Sequence, residues 1–187
     1  FELALAEQKM DEVVKRLEKL AEEQEAIVEE LSKDEDMTTL ASRERRQEES
    51  FKTLEQAMKD AANAMEALSP DASQQLSELA ESELTETTAS DLNEARTEMQ
   101  NLNSSGASES GGQASSGLNE MLEIAQEIQS DFQEDTVDEM LRKFLALIRN
   151  LLYISQEQEN LVKETEGLRS RSPKLIETAV RQDKILR

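Results

Sequence analysis

Residues 137–168, VDEMLRKFLALIRNLLYISQEQENLVKETEGL, decide the fold class of this chain. Side chains suited to a core recur there in alternating steps of four and three, which puts one of them on the same helix face in every turn. A second apolar row runs beside the first, so the middle of this helix can contact more than one neighbour. The stretch predicts the central helix of a helical bundle. Its first row comprises Met140, Phe144, Leu147, Leu151, Ile154, Gln158, Leu161, Thr165 and Leu168, and its second Leu141, Leu145, Ile148 and Leu152.

The composition points to the same class of fold. The 187 residues are 36% hydrophobic, 3% aromatic and 34% charged, with 5 Gly and 2 Pro, which is typical of long helices and coiled coils. A formal charge of −21 repels phosphate backbones, so we expect no nucleic-acid partner. The chain has no Cys and no His, which excludes disulfides and thiolate metal sites and removes the commonest general base.

The apolar pattern divides the chain into predicted helices. The first runs from residue 1 to about 33 over four heptads, and the second resumes at Met37, with Asp36 or Thr38 as its N-cap. The short connection between them predicts an antiparallel hairpin. Ser69-Pro70 matches an N-cap followed by the first helical position and predicts a third helix over 70–102.

The rest of the pattern predicts a linker and a second helical segment. Residues 103–117, NSSGASESGGQASSG, have nothing to bury and predict a flexible Gly/Ser linker between segments 1–102 and 118–187. A helix is predicted to begin at Leu118. The acidic run 131–138 is expected to bend or break it, because Thr136 and Glu139 form a capping box just before the central helix. Ser172-Pro173 repeats the start signal for a last helix.

An internal repeat relates the two ends of the chain. A shift of 134 residues places ISQEQENLVKET (154–165) on LAEEQEAIVEEL (20–31), and one further residue of shift places Arg181-Gln182 on Arg46-Gln47. We therefore predict two copies of one helical hairpin, the second truncated. Polar residues in a seam fix register or partner number, and in these copies they are Gln24, Gln47, Gln158 and Gln182. A Gln from each helix of a hairpin is expected to hydrogen-bond across it. A polar ligand site is the alternative.

These repeated motifs carry a resemblance to a known family. The pattern (I/L)-x-x-E-Q-E-x-(L/I)-V, followed after a short turn by R-Q, resembles large bacterial envelope proteins of unknown function. Those proteins have N-terminal membrane helices and a long Glu/Gln-rich helical region outside the inner membrane. The resemblance implies a periplasmic, membrane-tethered setting and brings no catalytic residues. The chain begins at Phe1 and stops at Arg187 within the pattern, so we expect a fragment whose membrane segments lie outside it.

No constellation of residues predicts an enzyme, a cofactor or a metal site. A di-iron bundle site needs His, and no phosphate-binding or nucleophile motif occurs in the sequence. The favoured function is a structural or protein-interaction scaffold that works through a protein partner or self-association. The alternative is a binding module that accepts a helix, a peptide or a lipid in a groove along 140–152. Its central candidates are Phe144, Leu147 and Leu151.

Overall fold

The computed structural model of the chain describes residues 2–33, 36–166 and 180, and in these ranges its regular secondary structure consists of α-helices joined by short turns. The predicted all-α bundle class is confirmed. The chain divides into two compact units, Phe1–Thr136 (unit 1) and Val137–Arg187 (unit 2). The helices of the described ranges are α1 (Glu2–Leu31), α2 (Met37–Met65), α3 (Pro70–Ala80), α4 (Glu83–Gln100) and α5 (Ser104–Glu166).

Two helices begin where the sequence predicts. The Asp36 carboxylate accepts a hydrogen bond from the Thr38 backbone N–H at 3.2 Å, so Asp36 caps α2. The Ser69 hydroxyl accepts from the Ala72 N–H at 3.3 Å, and Pro70 occupies the first helical position of α3. Both caps satisfy backbone donors that the first turn of a helix leaves without partners.

The core of unit 1 follows the predicted rows. The heptad row predicted for α1 runs from Leu3 to Leu31, and that for α2 from Leu40 to Leu68. All their residues are buried except the end residues Leu3 and Leu68, which are half-buried. Full burial of one large apolar side chain is worth about 1.5–3 kcal/mol, so these two rows account for much of the stability of unit 1. The contacts between the helices include Lys9 with Asp60 at 3.7 Å and Arg43 with Glu23 at 2.9 Å. The residue number rises along α1 as it falls along α2, the order that an antiparallel hairpin requires.

The predicted linker at 103–117 is wrong, because residues 104–117 form the first turns of α5. Their small side chains let the backbone of α5 approach its neighbours closely. A Cβ atom added to Gly111 would lie 3.1 Å from Cγ2 of Val28, and one added to Gly117 would overlap Thr88. The small residues continue the three-four spacing of a core row, which an apolar pattern misses, and the buried ones are Ala107, Ser110, Gly111, Ala114 and Gly117.

Three predicted boundaries also differ from the structure. The third helix is interrupted after α3, because the Ser82 hydroxyl accepts from the Thr85 N–H at 3.2 Å and starts α4. No break occurs over 131–138, since Thr136 donates to the Gln133 carbonyl oxygen at 3.0 Å inside a continuous helix. Residues 118–136 belong to unit 1, whereas the sequence pattern had placed them in the second segment, 118–187. The predicted helix start at Ser172-Pro173 lies outside the described residues.

Candidate functional site

A polar layer interrupts the core of unit 1. It consists of Gln24 from α1 and of Glu44 and Gln47 from α2, and all three side chains are buried. The layer separates two apolar clusters, one that includes Ala21 and Phe51 and one that includes Ile27 and Ala41. The prediction that Gln24 and Gln47 occupy core positions is therefore confirmed.

The two Gln side chains do not bond each other. Gln47 Nε2 donates across the hairpin to the Leu20 carbonyl oxygen at 2.8 Å. Gln24 instead points to α5, where its Nε2 lies 3.5 Å from the Gly111 carbonyl oxygen, at the outer limit of a hydrogen bond. Because the glycine-containing part of α5 approaches α1 closely, Gln24 has a partner there. A flexible linker over 103–117 would not have provided one.

Glu44 is the member of the layer to which the sequence analysis gave no role. Burial raises the pKa of Glu44 from 4.5 to about 7, and the Glu48 carboxylate adds to that rise. The neighbouring Gln24 side chain and the Arg43 charge lower the pKa by less. The sequence signal for a buried acid was the position of Glu44 in the heptad core row, between Leu40 and Gln47.

The layer holds more acceptors than donors. Gln24 Oε1 and both carboxylate oxygens of Glu44 are buried and have no hydrogen-bond partner among the described residues. A proton on Glu44 turns one of its oxygens into a hydrogen-bond donor and so reduces this excess of acceptors, which is the chemistry that a raised pKa favours. In the described part of the chain, no group of three or more acid, Cys or His side chains is placed to hold a metal ion.

The groove between α1 and α2 is lined by basic side chains. It has a volume of about 540 Å³, and Arg16, Lys19, Arg43 and Arg46 lie along it. Arg43 bonds Glu23 at 2.9 Å and also pairs with Glu30, while Arg16 bonds Glu12 at 2.5 Å. The intrahelical and interhelical pairs therefore neutralise much of the positive charge of this groove, which makes it a weak candidate for an anion site.

The second candidate lies in unit 2, on the part of α5 that follows Thr136. Phe144, Leu147 and Leu151, the predicted interaction residues, are 60%, 61% and 64% exposed. Other large apolar side chains beside them are also exposed, and together they form a two-row surface on one side of the helix. We call this surface the apolar face, and it comprises Val137, Met140, Leu141, Phe144, Leu145, Leu147, Ile148, Leu151 and Leu152.

The same register is buried in unit 1. A shift of 134 residues places Phe144, Leu147 and Leu151 on positions of α1 whose side chains, Met10, Val13 and Leu17, are fully buried. The sequence positions that form a core in unit 1 thus form an exposed surface in unit 2. Farther along the row, Gln158 is exposed, so its predicted core position is wrong, whereas Leu161 is buried. Gln182, in the predicted partner helix, lies outside the described residues.

Comparison with known proteins adds no assignment to this geometry. The chain matches no protein-family model, no curated protein and no solved structure. Within the described ranges, none of the helices combines the length and the apolar character that crossing a membrane requires.

Proposed function

We propose that this chain is a non-enzymatic scaffold for protein–protein interaction, and that the apolar face of unit 2 is its docking surface. The observation that carries the proposal is the exposure of nine large apolar side chains on one helix face over 137–152. The wider setting that we propose, a larger envelope-associated coiled-coil protein, rests on the E-Q-E and R-Q resemblance alone.

The energetics of apolar surface support a docking role. Monomeric soluble proteins rarely expose contiguous apolar patches larger than a few hundred Å², and larger patches mark interaction sites. Each Å² removed from water contributes about 25 cal/mol, so covering this face is strongly favourable. In unit 1 the corresponding α1 side chains are buried in the core, so the free energy of their burial stabilises the fold. Phe144, Leu147 and Leu151 are exposed, so the free energy of their burial can stabilise a complex with a partner.

A binding module is the second candidate function. It would accept a helix, a peptide or a lipid in the groove along 140–152, and the two adjacent apolar rows favour it. Leu141, Leu145 and Ile148 widen the face beyond the single seam of a two-stranded coiled coil. The two candidates differ in what they hold: the scaffold binds one defined protein, and the module binds an interchangeable ligand.

Co-purification from native membrane and soluble fractions tests the proposal with two matched variants. The first, Phe144→Gln with Leu151→Gln, makes the apolar face more polar. The control, Leu5→Gln with Leu102→Gln, removes two exposed leucines of unit 1. We expect one stoichiometric protein partner with the wild type and the control, and its loss with the first variant. Recovery of lipid alone, or a partner indifferent to the first variant, would overturn the scaffold function.

A further inference from the structure

The core-type row of unit 2 has the same spacing in both directions. Over 140–158 its steps are four, three, four, three and four residues. When a second copy of this helix runs antiparallel, the row therefore meets its own counterpart at every level. Phe144 then faces Ile154 of the second copy, and Leu147 faces its Leu151. One surface can thus cover itself, which is what a two-fold symmetric interface requires.

The area of the apolar face matches what a stable dimer needs. Its nine side chains are 38–64% exposed. Full burial of one large apolar side chain removes roughly 60–120 Å² from water, so covering the face removes roughly 300–600 Å² in each copy. A standard interface takes about 800 Å² from each partner, and about 60% of that area is apolar. Two copies of the face therefore supply the apolar part of such an interface by themselves.

The residues beside the row indicate the direction of the second helix. Lys143, Asn150 and Glu157 each directly precede a row residue at heptad position a, so all three occupy position g. In an antiparallel pair, position g of one helix faces position g of the other. Lys143 therefore faces Glu157 of the second copy at both ends of the contact, and Asn150 faces its own counterpart between them. Charges at such flanking positions set partner choice and orientation.

A parallel pair of helices lacks this match. Position g there faces position e of the other helix, so Lys143 would face Ile148 and Glu157 would face Val162. Neither charge would meet an opposite charge at that position. The Lys143 side chain is 73% exposed, and its pair with Glu139 of the same helix, at 3.3 Å, lies at the surface. Its ammonium group is therefore accessible to a second copy, and the antiparallel direction is favoured.

We propose that the chain forms an antiparallel homodimer through the apolar face of unit 2, with Lys143 of each copy beside Glu157 of the other. Burial of the apolar face stabilises the dimer. The two charge pairs select its direction, because exposed ion pairs add little affinity but disfavour wrong alignments. This inference rests on the proposed docking function and names a second copy of the chain as the partner.

Sedimentation equilibrium of the full 187-residue chain tests for the dimer. We expect a monomer–dimer equilibrium, and Phe144→Gln with Leu151→Gln should raise its dissociation constant at least about tenfold. The control, Leu5→Gln with Leu102→Gln, changes two exposed leucines of unit 1 and should leave the constant unchanged. A chain that stays monomeric at every concentration, a larger assembly, or a dimer indifferent to the Phe144/Leu151 change would overturn the proposal.

An exchange of charges tests the direction. Lys143→Glu places two glutamates side by side at both ends of the contact and should weaken the dimer by about threefold to tenfold. Glu157→Lys should do the same by opposing two lysines. The combined variant restores both opposite-charge pairs and should dimerise as the wild type does. Single variants without effect, or a combined variant as weak as the single ones, would count against the antiparallel pairing and overturn the proposal.

The outcomes separate this proposal from the scaffold function. If the dimer forms, the stoichiometric protein recovered with a tagged chain is an untagged copy of it. A monomeric chain whose face captures a different protein in co-purification excludes the second copy and leaves the scaffold function standing. A monomeric chain whose flotation with phosphatidylglycerol vesicles depends on Phe144 and Leu151 assigns the face to lipid and overturns both.

Discussion

Gly117 of α5 lies so close to Thr88 of α4 that a Cβ atom at Gly117 would overlap the Thr88 hydroxyl oxygen. That hydroxyl is fixed, since it donates to the Leu84 carbonyl oxygen at 2.7 Å. The contact explains why a helix as glycine-rich as the start of α5 packs at all. Residues with small side chains let two helices approach to within backbone contact.

Gly117→Ala is therefore expected to destabilise the chain. The methyl group gains about 1 kcal/mol of helix propensity, but displacing Thr88 costs about 1–3 kcal/mol in a packed core. Gly112 is the control, because a Cβ atom there would meet nothing within 4 Å, and Gly112→Ala should stabilise by about 0.5–1 kcal/mol. Urea unfolding followed by circular dichroism measures both. A Gly117→Ala protein as stable as the Gly112→Ala protein would refute the close contact.

Glu44 is expected to make stability depend on pH. Its pKa in the folded chain is about 7, above the ordinary 4.5, so the folded state holds the proton more tightly than the unfolded state. The stabilising contribution of that proton is complete below about pH 4.5 and is lost as pH rises through about 7. Glu44→Gln keeps the shape without the charge and should be more stable than the wild type by about 3 kcal/mol at pH 8.

The comparison of Glu44→Gln with the wild type isolates this one group from the other acids. Both proteins carry the remaining carboxylates, so their shared titration cancels in the difference between the two free energies of unfolding. That difference should shrink toward zero as pH falls from 8 to 4.5. A difference that is constant over this range would show that Glu44 titrates normally.

The two Gln residues of the polar layer are expected to respond unequally to replacement by Met. Gln47→Met removes the 2.8 Å bond to the Leu20 carbonyl oxygen and should cost about 1 kcal/mol. Gln24→Met removes a marginal 3.5 Å contact to the Gly111 carbonyl oxygen, so it should cost less than the Gln47 change. The free energies of unfolding are compared at pH 5, where Glu44 is mostly protonated. Equal losses in both variants would contradict this asymmetry.

Two phenylalanines separate core from surface. Phe51 of α2 is 1% exposed, and Phe51→Ala should lower the free energy of unfolding by about 3–5 kcal/mol. Phe144 is 60% exposed, and Phe144→Ala should change it by less than about 0.5 kcal/mol in a chain without a partner. Chemical denaturation at low protein concentration is the measurement. A large loss with Phe144→Ala would mean that this side chain packs within the chain.

The sequence predicted what large apolar side chains control and missed what small ones do. Leu, Met and Val at heptad spacing predict the core rows of α1 and α2. Ser69-Pro70 predicts a helix start, because Ser caps a helix and Pro fits its first position. The helix over 104–117 was not predicted, because a sequence rich in Gly and Ser is found both in flexible linkers and in tightly packed helices. The difference lies in the partner, Val28 or Thr88, which only the tertiary structure identifies.

The candidate site shows the same division. Gln24 and Gln47 were found as polar residues in core rows, but their partners were not predicted. Gln24 contacts Gly111 of α5, in a segment predicted to be a linker, and Gln47 bonds the Leu20 backbone instead of Gln24. Phe144, Leu147 and Leu151 were identified by the spacing that is typical of core residues, but their side chains are exposed in the structure. Periodicity identifies an apolar face, and burial depends on whether another helix covers it.

The distribution of methionines gives the apolar face a chemical signature. Five of the seven are completely buried in unit 1, Met37 is half-buried, and Met140 on the apolar face is 51% exposed. A mild peroxide treatment therefore converts Met140 to the sulfoxide well before the core methionines, since oxidation follows exposure. The sulfoxide is polar, so oxidative stress would place a polar group in the docking surface while the bundle stays intact. Sulfoxide reductases could reverse that change.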